Sequence, residues 1–254
     1  MEFPINISIG RFSISAHILF ETLAFFIAYR YYLHLRSKTN DQISDEGRIW
    51  ILIGAAAGAF LFSRLTGVME NPYAFISSPH KLLYFFSAKT IVGGLLGGLT
   101  GVELMKKIIG VKSSSGDLFT FPLLLGMIIG RIGCFTSGVG EDTYGIKTSL
   151  FSGMNLGDNI LRHPVTLYEI VFLILLWIVL VHVKKKRILP EGWIFRYFMI
   201  GYLGFRFFLD FIKPTIPIIL NLSFIQLMCV AGLIYYVRTI ISLIFNPPQT
   251  RMHA

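Results

Sequence analysis

Long apolar runs separated by short polar stretches set the pattern of this chain. Runs of about 20 apolar residues are the length that crosses a bilayer as helix. They predict spans near 13–35, 49–69, 82–105, 118–136, 165–183, 193–212 and 218–245. Seven spans with no long polar stretch between them predict an all-α integral membrane protein, and residues 1–254 are read as a single polytopic membrane domain. Prolines 72, 79, 164, 190, 214 and 217 mark loop entries. Repeated glycines in GAAAGAF, GGLLGGLTG and GMIIGRIG predict helices that approach closely.

One connection is long. Ser137 to Pro164 spans residues 137–164 and includes the semi-apolar SLFSGMNLGDNI. A loop of that length in a compact fold is usually functional or disordered, and its aliphatic and aromatic residues argue against disorder. It is expected to lie on or dip into the bilayer surface. The polar tail from Asn246 to Ala254 is expected to fray.

Composition agrees with the pattern: the chain is 54% hydrophobic and 15% charged, and its mean hydropathy is +0.66. A soluble domain carries about 25% charged residues. The net charge of +9 is divided among loops and span interiors instead of forming one basic face, so nucleic acid is not the expected partner. Anionic lipid headgroups are.

The basic residues also set an orientation. Arg36, Lys38, Arg48, Lys106, Lys107, Lys112, Lys184, Lys185, Lys186, Arg187, Arg238 and Arg251 fall on one side. Arg11, Lys81, Lys147, Arg162 and Lys213 fall on the other. This predicts an external N-terminus and a cytoplasmic C-terminus. Residues 1–11 lack a basic segment of the signal-peptide kind, so the first span is expected to be retained. Cys134 and Cys229 have neither metal-ligand nor disulfide spacing.

With this orientation, ionisable residues collect in the outer halves of the spans. They are His17 and Glu21, Arg64 and Glu70, Lys89, Arg131, His163 and Glu169, and Arg206 and Asp210. A charge at membrane depth costs at least about 2.5 kcal/mol, so such residues normally face the bundle interior and mark a functional path. His17 and Glu21 share a helix face at i,i+4, as do Arg206 and Asp210. Arg206 with Asp210 is either part of a site or a structural ion pair. Arg131 has no acidic residue at i±3 or i±4, which predicts an external anion for it. A guanidinium fork suits a phosphate diester, and Arg131 with Arg206 is expected to clamp a phospholipid headgroup.

The same residues carry a family resemblance. GRIGCF at 130–135 with Gly138, Tyr144 and Gly145, RHPVTLYE at 162–169 and FRFFLDF at 205–211 resemble, in order and spacing, the motifs of bacterial prolipoprotein diacylglyceryl transferases. The resemblance implies an inner-membrane enzyme with no metal or other cofactor. Such an enzyme moves the diacylglyceryl group of phosphatidylglycerol to the lipobox cysteine thiol in the signal peptide of a prolipoprotein, releasing glycerol phosphate. Arg131 and Arg206 match that family's essential arginines. Asp210 stands at its sixth-span glutamate, Gly145 closes the signature, and Glu141 matches the signature's acid across a small insertion. Val92 stands where the third-span motif has a histidine, Cys134 replaces an asparagine, and His17 falls near the place of a first-span tyrosine.

The acceptor thiol must lose a proton as it attacks, and a group titrating near neutrality suits that task. His17 oriented by Glu21 is the candidate base, or else a satisfied bundle histidine. His163 is either a second candidate or a residue that caps the fifth span. Arg64, Lys89, Cys134, Glu141, Gly145, Arg162 and His163 are candidate substrate contacts. Two other readings stay open: a transferase of the same fold with a different acceptor, and a lipid-binding protein or transporter without catalysis.

Overall fold

The computed structural model describes residues 3–9, 12–39 and 41–245. Arg11, Arg251 and the tail from Asn246 lie outside the described residues. The chain opens with an antiparallel hairpin, β1 (Asn6–Ile9) and β2 (Phe12–Ser15), paired from Asn6–Ser15 to Ile9–Phe12. Helices α1 (Ala16–Ser37) and α2 (Asp45–Glu70) follow, then two short helices, α3 (Pro72–Ser77) and α4 (Lys81–Ser87). Next come α5 (Ile91–Ile109) and α6 (Asp117–Ser137). A two-residue ladder, β3 (Met154–Asn155) with β4 (Leu161–Arg162), precedes α7 (Val165–Lys186) and α8 (Trp193–Leu209). The described chain ends with α9 (Phe224–Tyr235) and α10 (Val237–Phe245).

Among the described residues three helices, α2, α6 (continued to Gly140) and α7, are each long and apolar enough to cross a membrane. The count is five if the bent pairs α4–α5 and α9–α10 are each one span. The expected third span does not run unbroken from 82: α4 is turned 84° from α5 across a break at Ala88–Thr90. The last expected span is likewise divided, with a 58° bend between α9 and α10. The first begins as strand up to Ser15 and becomes helix only at Ala16. α8 has 17 residues, short for a span.

Helix ends are fixed by side chains that meet the unpaired N–H groups of first turns. Ser44 caps α2 through Gly47 N, and Ser223 and Gln226 form a reciprocal capping box on α9. Two caps come from other helices. Asp117 at the start of α6 accepts from Gly192 N and Phe195 N at 2.8 and 2.9 Å, holding the start of α8. Glu70, the last residue of α2, accepts from Ile225 N at 2.6 Å and so fixes the start of α9.

The glycine runs pack as the sequence predicts. α2 and α5 lie backbone against backbone. A Cβ on Gly54 would fall 2.7 Å from the Gly101 carbonyl oxygen, and one on Gly58 would collide with the Gly97 carbonyl. α1 and α6 form a second close pair, with Gly133 against the His17 backbone. Between the pairs sits an apolar core that includes Leu96, Leu124, Leu173, Phe198, Met199 and Leu203. Val92 belongs to it at 1% exposure. Phe25, Leu104, Ile108, Val171 and Leu175 are exposed, so helices are apolar outside as well as inside, as a bundle in lipid requires.

Candidate active site

The ionisable residues converge where α1, α5, α7 and α9 begin and α2, α6 and α8 end. They form two groups joined through α6.

The deeper group is built on Glu169, one turn into α7 and 1% exposed. Its Oε2 lies 2.9 Å from Arg131 Nε and 3.7 Å from Arg206 Nη1. Its Oε1 accepts from the Tyr202 hydroxyl at 2.7 Å. Arg206 Nη2 donates to Asp210 Oδ1 at 3.3 Å, the i,i+4 pair that the spacing predicts. Asp210 is completely buried, and its other oxygen accepts from the Ser223 hydroxyl. Burying an ion is costly unless it is paired and hydrogen-bonded, and here each carboxylate meets an arginine and a hydroxyl.

Arg131 is therefore not the unpaired cation that its own helix suggests. Its partner comes from α7, which i±3 and i±4 spacing within one helix does not reach. Spare capacity nonetheless remains, since a guanidinium has five N–H donors. Arg131 is ion-paired to Glu169 through Nε, and its Nη1 donates toward Cys134 Sγ at 3.7 Å. Its Nη2 has no hydrogen bond among the described residues, and Arg206 makes one, to Asp210. Two forks held side by side on one carboxylate, each with donors left over, suit a further anion.

The second group surrounds His17, 7% exposed. Its Nε2 is 3.6 Å from Glu21 Oε2 and 3.5 Å from Glu141 Oε1, too long for good hydrogen bonds. Lys89, at the α4–α5 break, donates to Glu21 at 2.7 Å. Glu21 is thus shared between His17 and Lys89, and Glu141 reaches the imidazole from the loop after α6. α6 links the two groups: Gly133 packs against the His17 backbone, and the next residue, Cys134, lies 3.7 Å from Arg131 Nη1.

The remaining candidates are placed apart. Arg64 donates to the Ala88 carbonyl at 3.3 Å and lies over the Phe60 ring at 5.4 Å. Arg162 is committed to the long loop, paired with Asp158 at 2.7 Å and stacked over Tyr144. The Arg162 guanidinium holds the half-buried Asp158 carboxyl below the usual carboxylate range. His163 does not cap α7 with its side chain. Its carbonyl accepts from Gly145 N, and its Nδ1 is 3.3 Å from the Tyr168 hydroxyl. Gly145 presses on His163 so closely that a Cβ would fall 2.5 Å from the His163 carbonyl. These residues shape the loop, which backbone hydrogen bonds tie together and to the bundle. Ile146 N reaches Ile212 O at 2.9 Å and Val139 N reaches Leu156 O at 3.0 Å.

Sequence reasoning left Glu169, Tyr202 and Ser223 out of the site. Glu169 closes the RHPVTLYE motif. Ser223 begins an S-x-x-Q pattern ahead of an apolar run, a readable helix start. Tyr202 precedes Arg206 by one helical turn, so the two side chains share a face.

Comparison with known proteins places the chain in a family. The family described as prolipoprotein diacylglyceryl transferase matches residues 4–242. A phosphatidylglycerol–prolipoprotein diacylglyceryl transferase of Pseudoalteromonas translucida is 30% identical over 236 residues, 83% of this chain and 79% of that one. One of Aliivibrio fischeri is 29% identical over 235 residues, 83% and 76% of the two chains. One of Treponema denticola is 28% identical over 225 residues, 70% and 64%. The chain belongs to the prolipoprotein diacylglyceryl transferase family.

Proposed function

We propose that this protein transfers the diacylglyceryl group of phosphatidylglycerol to a cysteine thiol of a prolipoprotein and releases glycerol phosphate. The observation that carries the site assignment is the pair of buried arginines on Glu169, with Arg131 Nη2 unspent. The acceptor sulfur forms a bond to the glyceryl carbon, and the C–O bond to phosphate breaks. The growing charge on the phosphate is met by Arg131 and Arg206, whose orientation is already fixed, so little reorganisation is needed as the charge develops. Asp210 and Glu169 hold the forks. His17, flanked by Glu21 and Glu141, takes the thiol proton. Lys89 lies on the path to that group and contributes charge near the headgroup.

The membrane arrangement belongs to the same reading. We take the chain as one domain of seven spans in a bacterial inner membrane, with α1 and α8 added to the five spans that length and apolarity support. The N-terminus is external and the C-terminus cytoplasmic, which places both charge groups and the long loop at the outer surface. The distribution of basic residues supports this, and so does the gathering of ionisable groups at one set of helix ends.

The test is direct. Purified protein is given phosphatidylglycerol and a lipobox peptide, and the peptide is weighed by mass spectrometry. Diacylglyceryl addition with matching glycerol phosphate release is expected. An unmodified peptide, with glycerol phosphate released only when another acceptor is present, would favour a transferase with a different acceptor. The burial of Val92 in the apolar core, where the family pattern has a histidine, is the observation behind that second reading.

A further inference from the structure

We propose that Ser223 is a positioning residue for Arg206: its hydroxyl proton fixes the Asp210 carboxylate, and the carboxylate in turn aims the guanidinium at the phosphate. The inference rests on the transferase reading and deepens it.

Ser223 stands at the N-cap of α9. As a cap it needs only to accept, since the unpaired groups of a first turn are N–H donors. Its Oγ accepts from Gln226 N at 3.1 Å, and Gln226 Oε1 accepts from Ser223 N at 2.9 Å. That closes the reciprocal cap and leaves the hydroxyl proton over, because serine carries one O–H donor besides its lone pairs. The proton goes to Asp210 Oδ2, 13 residues earlier in the chain. Ser223 is 1% exposed and Asp210 0%, so bulk water does not compete for either group.

Arg206 depends on its aspartate more than Arg131 does on Glu169. Arg131 has the Glu169 carboxylate at 2.9 Å. Arg206 lies 3.7 Å from that carboxylate, and its one hydrogen bond among the described residues goes to Asp210 Oδ1, at 3.3 Å. The terminal torsion of an aspartate is soft, and a carboxylate held by one oxygen alone can turn about it. With Oδ2 tied to Ser223, Oδ1 is left facing Arg206. The tie is itself braced. Gln226 Nε2 donates to Phe207 O on α8 at 3.2 Å, and Glu70 at the end of α2 accepts from Ile225 N at 2.6 Å. The start of α9 is thereby fastened to two other helices, and the hydroxyl comes from a rigid support.

In the reaction the arginine fork must meet charge that grows on the phosphate oxygens as the C–O bond breaks. A fork free to swing still attracts a phospholipid by its charge, but it meets the developing charge only after reorienting. Loss of the Ser223 proton therefore falls on kcat and leaves KM in place.

Capping and proton donation are separable by substitution. Glycine caps a helix nearly as well as serine, and alanine caps poorly. Neither has a proton for Asp210, while threonine both caps and donates. The experiment measures kcat and KM for phosphatidylglycerol with a lipobox peptide as acceptor, and the thermal midpoint in detergent. It compares the full-length wild type, Ser223→Ala, Ser223→Gly, Ser223→Thr, Arg206→Ala and the double variant Ser223→Gly/Arg206→Ala. Ser223→Gly is expected to lose about tenfold in kcat with KM unchanged, the lower end of what outer partners contribute in metal sites. Ser223→Ala should lose the same factor although it melts lower, and Ser223→Thr should recover most of the loss. The double variant should be no slower than Arg206→Ala, as for groups acting as a unit. A Ser223→Gly as fast as the wild type would reduce the serine to a cap and overturn the inference. So would a loss confined to KM, a loss that threonine does not recover, or losses that multiply in the double variant. If Ser223→Ala does not fold, the glycine and threonine variants decide alone. A wild type that transfers nothing would overturn the transferase reading, and this inference with it. An active wild type with an indifferent Ser223→Gly removes only the role of Ser223.

Discussion

Glu169 Oε2 stands 2.9 Å from Arg131 Nε, joining α7 to α6 at a depth where both side chains are almost fully buried. The same oxygen faces Arg206, so one carboxylate moderates the repulsion between two cations that the chemistry needs side by side. Its loss would be felt first in stability. Removing one partner of a buried ion pair costs about 3–5 kcal/mol, and Glu169→Ala is expected to destabilise the protein by that amount. Unfolding followed by temperature or denaturant in detergent reads it, and a cost near zero would mean that water reaches the pair.

The arginines should behave differently. With either one removed, Glu169 keeps the other, so Arg131→Ala and Arg206→Ala are expected to fold and to lose transfer by about 100- to 1,000-fold, the range for a lost charge-stabilising donor. Lysine should restore little, since it lacks the fork. Full activity in either alanine variant would remove that arginine from the clamp.

Between α2 and α5 the prediction is steric. Gly58 and Gly97 face each other's carbonyl oxygens with no room for a Cβ. Overpacking a close-packed interior typically costs about 1–3 kcal/mol, and Gly58→Val should reach at least that range because backbone must move. Folded yield and thermal midpoint in detergent would show it. A variant as stable as the wild type would mean that the helices separate easily.

At the other end of the bundle, Asp41 ties Arg36 to Arg48, with Arg48 Nη2 at 2.6 Å. Partial burial works against the Asp41 charge, but its bonds to Arg48, Ile43 N and Arg36 outweigh that and hold the carboxyl below its ordinary value. A carboxylate depressed on folding stabilises above its unfolded value and loses that contribution as pH falls through the folded one. The stability gap between the wild type and Asp41→Asn should be constant near neutrality and close below about pH 4. A gap that persists in acid would locate the effect in packing.

The sequence made the gathering of the charges legible, because an ionisable residue in an apolar run is conspicuous. It also predicted the Arg206–Asp210 pair, which lies within one helix. The Arg131–Glu169 pair was not legible in the same way, since it depends on how α6 and α7 rotate about their axes. The break at Ala88–Thr90 was hidden too. KLLYFFSAKTIVGG is apolar enough throughout to pass for one span, and only Ser87, Lys89 and Thr90 hint at an interruption. Val92 and Cys134 stood out as departures from a motif. Their surroundings, an apolar core for one and a guanidinium for the other, needed three dimensions.

That break has a cost which a neighbour meets. A helix that stops inside an apolar environment strands its carbonyl groups. Here Arg64 donates to Ala88 O, and at the start of α5 Thr90 N donates to the Ser63 hydroxyl oxygen at 3.0 Å. α2 thereby splints the missing turn of the adjoining element. Arg64, which by charge alone would be assigned to a lipid, is already engaged by main chain, and its removal would loosen the wall beside the site before it weakened any grip on a headgroup.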